Sequence, residues 1–119
     1  MPYEVFLPGA FKSVLKHYKK KYPHAGEDLK QILHLVVNNP DIGKSLQGLK
    51  GVKKVRFRNS DVQKGKSGGY RLVYLLEDTR SLIVPLLMYS KSTKASVTEQ
   101  EIRSLLTRIE QEILDDQST

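Results

Sequence analysis

Cysteine is absent from the 119 residues, which excludes a disulfide framework and any thiolate metal site. Long apolar runs are missing too. The longest, Leu82 to Tyr89, falls far short of the roughly 20 residues a membrane helix needs, so no membrane partner is expected. The opening MPYEVFLPGAF has no basic segment ahead of an apolar one. No signal peptide is therefore expected, and a cytoplasmic location is the default. Linkers, internal repeats and low-complexity stretches are likewise missing, so residues 1–119 read as one domain with a single modest core.

Acidic residues are scarce where they would matter most. The net charge is +7 overall, but residues 44–94 carry +9, with only Asp61, Glu77 and Asp78 as acids. Residues 1–43 carry +2, and residues 95–119 carry −4. The field is thus concentrated in the middle of the chain. Phosphate is the commonest partner of such a surface.

Other chemistries lack their residues. GKS occurs at 43–45 and at 65–67, but a triphosphate-binding loop needs a glycine five residues before its second glycine. Asn38 and Ser60 stand there instead. His17, His24 and His34 have no metal-ligand spacing to any acid, and read as surface or packing residues. No two carboxylates are paired in a segment resembling a cleft, so no metal or other cofactor is expected.

What is present is a succession of clear periodicities. YEVFL alternates, with Tyr3, Val5 and Leu7 on one face of a short strand. Pro8 then opens a helix whose stripe is Phe11, Val14, Leu15 and Tyr18, with Lys12, Lys16, Lys19 and Lys20 outside. A second helix, striped by Leu29, Ile32, Leu33, Val36 and Val37, stops at NNP. DIGKSLQGLKG reads as a loop. Strands are expected over residues 52–58, 70–77 and 82–89, although Pro85 demands an edge or a bulge. Thr98 and Glu101 have capping-box spacing ahead of a last helix with Ile102, Leu105, Leu106, Ile109 and Ile113 on one face. The order is strand, two helices, three strands, helix. This is an α+β domain with helices against a small, mostly antiparallel sheet.

The cations fall on this frame in a particular way. In VKKVRFR, alternation sends Lys54, Arg56 and Arg58 to one face while Val55 and Phe57 point to the core. Neighbouring like charges repel, and the next strand offers no acid before Glu77 to offset them. An anion absent from the chain would complete the arrangement. Arg71 shares a strand face with Val73 and Leu75, an apolar setting that costs free energy without a partner. Lys64 and Lys66 crowd Gly65, Gly68 and Gly69 just before it. Tyr89, Lys91 and Lys94 leave the last strand, so cations and tyrosines converge on strand ends where an RNA strand could lie.

The layout, together with NPDIGKSLQGLKGVKKVRFR, GKSGGYRLVYLLED and MYSKS, resembles the RelE/HigB toxins of bacterial type II toxin–antitoxin systems over roughly residues 3–110. KGKSGGYRLVY is most similar to the HigB-like branch. The resemblance implies the RelE-like fold and a ribosome-dependent, metal-independent endoribonuclease that cuts messenger RNA and so inhibits translation. It implies three partners: messenger RNA, the ribosome and a cognate antitoxin, docked on a sheet edge and beside the last helix. It also implies catalytic roles for Lys54, Arg56, Arg71, Tyr89 and Lys91, with Lys54 or Lys91 as the base. Lys53, Arg58, Lys64, Lys66 and Lys94 would bind RNA. The chain departs from RelE in having Ser92 where a further arginine is expected, and no tyrosine after Tyr89. Two alternatives share the charge pattern: a ParE-like gyrase poison, and a non-catalytic nucleic-acid-binding module.

Overall fold

The computed structural model describes residues 3–62, 69–91 and 97–117. Strand β1 (Glu4–Val5) is shorter than the alternating segment, but the faces are as expected. Tyr3, Val5 and Leu7 pack on one side of the sheet and Phe6 on the other. Pro8, held at φ −64°, precedes helix α1 (Gly9–Lys21), since the ring fixes a helix-compatible φ and costs no needed N–H. Helix α2 (Ala25–Asn38) ends before Pro40, which opens a 3-10 turn over Pro40–Ile42.

The segment read as a loop contains one more strand, β2 (Lys44–Ser45), paired antiparallel with Lys53 and Lys54. Gly48 and Gly51, at φ +81° and +80°, reverse the chain in a conformation that L residues resist. This hairpin escapes a periodicity search because two residues are too few to alternate. β3 (Val52–Phe57), β4 (Tyr70–Glu77) and β5 (Leu82–Ser90) follow, then helix α3 (Glu99–Gln117). The sheet order is β1-β5-β4-β3-β2, with β1 parallel to β5 and every other pair antiparallel.

Pro85 sits where its chemistry permits. Val73 pairs with Leu87 and Tyr74 with Pro85, so Leu86 is the extra residue of a bulge. β1 reaches only Leu82 and Ile83. From Pro85 onward, β5 therefore has no strand on its outer side among the described residues.

Both faces of the sheet are covered. Helices α1 and α2 bury Phe11, Leu29, Ile32 and Val36 against Phe57, Tyr70, Leu72, Tyr74 and Met88. On the opposite face α3 buries Ile102, Ile109 and Ile113 against Val52, Val73, Val84 and Leu86. The capping box forms as its spacing demands: the Glu101 amide donates to Thr98 Oγ1 at 3.1 Å, and the Thr98 amide to Glu101 Oε1 at 3.2 Å. Three contacts then fix where α3 crosses: Arg103 to the Gly48 carbonyl, Arg80 to Glu110, and the Gly9 amide to Glu112. All lie toward the end of the sheet where β3 begins and β4 turns into β5. The other end, where β3 finishes and β4 starts, holds the cations.

Candidate nucleic-acid interface

Register decides which side chains meet. Arg56 lies directly opposite Arg71, and Arg71 directly opposite Tyr89. The three make one cross-strand row. Lys54 is opposite Val73, one row toward α3, and Val73 and Tyr89 both belong to the apolar cluster under that helix. Lys54, Arg56, Arg71 and Tyr89 thus share the α3 face of the sheet. Val55 and Phe57 pack on the other face.

Arg71 is only 8% exposed. Its Nη1 donates to the Tyr70 carbonyl at 3.3 Å, at the long end for a hydrogen bond. Among the described residues the ion pairs are His24–Asp61, Lys53–Asp41, Arg80–Glu110 and Arg103–Glu99. None involves Lys54, Arg56, Arg58 or Arg71. Two arginines directly across a ladder, one of them buried and neither matched by a carboxylate, are unfavourable in isolation. An anion such as phosphate relieves both penalties, because a guanidinium offers paired donors to it.

The remaining expected site residues are distributed unevenly. Lys53 points to the opposite face, where its Nζ donates to Ser45 Oγ at 3.0 Å and meets Asp41 Oδ1 at 3.5 Å. It is not gathered with the row. Arg58 and Lys91 are exposed just beyond β3 and β5. Tyr89 is 3% exposed and packed beneath α3, so its ring faces core atoms and is not an open stacking platform. Lys64, Lys66 and Lys94 lie outside the described residues. Among the described residues no group of three or more His, Asp or Glu side chains could hold a metal ion.

The far face of the same strand ends is built for rigidity. Phe57 and Tyr70 stack with centroids 4.9 Å apart. A Cβ on Gly69 would stand 2.9 Å from the Phe57 carbonyl, so only glycine lets β4 enter beside β3 there. Below this stack, residues 59–62 are tied to the start of α2. The Ser60 amide and hydroxyl both donate to the buried Asp28, at 2.9 and 3.0 Å. The His24 amide donates to Asp61 Oδ2, and its ring Nδ1 lies 2.6 Å from Asp61 Oδ1. That side-chain contact raises the imidazole pKa and lowers the carboxyl pKa. From its sequence context His24 is a surface or packing histidine, and nothing in its spacing to Asp61 announces the contact. An acid inside the apolar stripe of α2 is the signal that could have found the tether.

The molecule is thus a small α+β protein with a cationic cross-strand row where β3 ends and β4 begins. No protein-family model matches the sequence. Among solved structures the chain is similar to E. coli toxin RelE in a double arginine-to-alanine mutant in the free state, at 25% identity and TM-score 0.59. That match covers 92% of this chain and 99% of the other. The isolated E. coli RelE toxin matches at 26% identity and TM-score 0.53, over 90% and 98% of the two chains. The RelE mutant in complex with an antitoxin RelBc peptide matches at 26% and 0.53, over 83% and 98%. The chain shares the fold of the RelE toxin over nearly the full length of those proteins. No helix among the described residues is long and apolar enough to cross a membrane.

Proposed function

We propose that this protein is the toxin of a type II toxin–antitoxin pair, and that it cuts messenger RNA on the ribosome without a metal ion. The observation that carries the reading is the Arg56–Arg71 pair: directly opposed, with Lys54 beside it and no ion pair to a carboxylate among the described residues. In the reaction the ribose 2′-OH attacks the adjacent phosphate, giving its proton to a base, and the 2′-oxygen–phosphorus bond forms. The bond from phosphorus to the 5′-oxygen breaks, and that oxygen takes up a proton. The products are a 2′,3′-cyclic phosphate and a 5′-hydroxyl. Arg71, fixed by burial, and Arg56 hold the two non-bridging oxygens as charge builds on them. Lys54 or Lys91 serves as base. Lys54 is the better placed, one row from the arginines on the same face. Tyr89 borders the row and sets its inner wall. A row with no histidine pair is a weak acid–base system, and such a system depends on a host that positions the substrate.

The neutralising partner in this reading is a small protein with an acidic segment. RelE bound to an antitoxin peptide supports it, as does the +9 of residues 44–94. The HigB-like affinity of the glycine-rich segment belongs to the same proposal.

The test is expression of the protein in a bacterial host with primer extension on a translated transcript. Growth arrest with cuts that require translation supports the proposal. Arrest with intact RNA and trapped gyrase–DNA complexes would replace it by a ParE-like activity, and harmless expression by a plain binding module.

A further inference from the structure

β5 loses its outer neighbour after Ile83, because β1 ends there. Helix α1 partly fills the gap: Tyr18 Oη accepts the Ser90 amide at 3.0 Å. Between α1 and this open edge lies a cavity of about 460 Å³, walled by Val14, Tyr18, Leu87 and Met88, with Ser13 and His17 at its mouth. Tyr89 closes its inner end, and Tyr89 is also the register partner of Arg71. The cavity therefore adjoins the cationic row.

Two further observations identify its occupant. The walls are mostly apolar and aromatic, and the His17 ring meets Tyr18 edge-on at 5.8 Å, which leaves the imidazole as a polar group at the rim. The α1 surface beside it is also cationic. Ser13 and His17 are four residues apart on α1, so Lys16, Lys20 and Lys21, at three- and four-residue spacings from them, share that surface. All three are exposed, and α1 contains no acid. Lys16 and Lys20 are separated by about 6 Å along the axis, a step of the order of one nucleotide. An open, mostly apolar depression with a polar rim and lysines beside it has room for an unstacked base with its phosphates alongside.

We propose that this cavity is a nucleobase subsite. It takes the base of a nucleotide next to the scissile phosphate while Lys16 and Lys20 hold the flanking backbone. The inference rests on the RNA-cleaving reading of the Arg56–Arg71 row, and it makes Ser13 and His17 specificity-determining residues.

The experiment compares binding of two RNA trinucleotides with 2′-O-methyl riboses, which cannot be cleaved. One bears three bases; the other is abasic at its terminal position. The wild type should bind the first roughly tenfold more tightly, the effect of one stacked base. Ser13→Trp, which fills the slot from an exposed helix position, should bind both alike, at the wild-type affinity for the abasic strand. His17→Ala should lose part of the preference and change which terminal base is favoured. Equal wild-type affinities, or a preference that survives Ser13→Trp, would overturn the subsite while leaving the nuclease reading untouched. Failure of the wild type to bind either strand, together with failure to cut translated RNA, would remove both.

Discussion

Replacing Arg71 by methionine should make the protein more stable and at the same time inactive. Arg71 is 8% exposed, faces Arg56 directly and makes no ion pair among the described residues. A like-charged cross-strand pair costs roughly 0.2–1 kcal/mol. Burying a guanidinium without a counter-charge costs up to several kcal/mol more. Against this stands one long hydrogen bond to the Tyr70 carbonyl, worth about 0.5–1.5 kcal/mol. Methionine keeps an unbranched apolar stem without the charge, so the balance is a gain of about 1–3 kcal/mol. With an m-value of about 1–3 kcal/mol per molar urea, the unfolding midpoint should rise by about 1 M. Arg56→Met, at an exposed position, should move it by less than about 0.5 kcal/mol. The assay is urea denaturation followed by circular dichroism in phosphate-free buffer, paired with a growth-inhibition test. If Arg71→Met lowered the midpoint, Arg71 would be a structural residue and the anion argument would fail.

Lys54→Ala and Arg56→Ala should each reduce cleavage at least about tenfold at saturating substrate with little change in fold, since each removes a contact of at least about 1.4 kcal/mol made to developing charge. Tyr74→Phe should destabilise by about 2–4 kcal/mol in the same urea assay, because the Gly43 amide and the Pro40 carbonyl lose their shared partner at 3.0 and 2.8 Å. The His24–Asp61 contact sets a pH window. The raised imidazole pKa contributes stability that is full below the ordinary histidine value and lost as pH rises through the shifted one. The lowered carboxyl pKa contributes stability that is present above the ordinary aspartate value and lost as pH falls through the shifted one. His24→Ala should therefore flatten the stability–pH curve on both sides, and an unchanged curve would show the contact to be inert. Co-expression with the adjacent reading frame should relieve growth arrest and give a complex whose association rate falls with salt.

The helices and the longer strands were legible because their periodicities are long enough to count. The amphipathic stripes of α1 and α2, the Thr98–Glu101 cap and the alternation of VKKVRFR all appear where expected. The common face of Lys54 and Arg56 was legible for the same reason, but that Arg71 joins them was not, because it depends on the β3–β4 register. Lys53 was not: alternation alone sends it to the other face, but only the β2 hairpin brings Ser45 and Asp41 within its reach. Tyr89 was read as a strand-end ring, whereas α3 closes over it, a long-range contact that no local pattern encodes. The cavity beside it depends on where β1 stops pairing, which two residues at the start of the chain determine.

In the proposed mechanism opposed arginines, not a metal or a histidine pair, carry RNA cleavage. The measurement that tests it most directly is end-group analysis of RNA cut in a translating extract by wild type and by Arg71→Met. Every wild-type cut should carry a 2′,3′-cyclic phosphate and a 5′-hydroxyl, and a folded Arg71→Met protein should make no cuts. A 5′-phosphate at the cuts, or full cleavage by the variant, would contradict it.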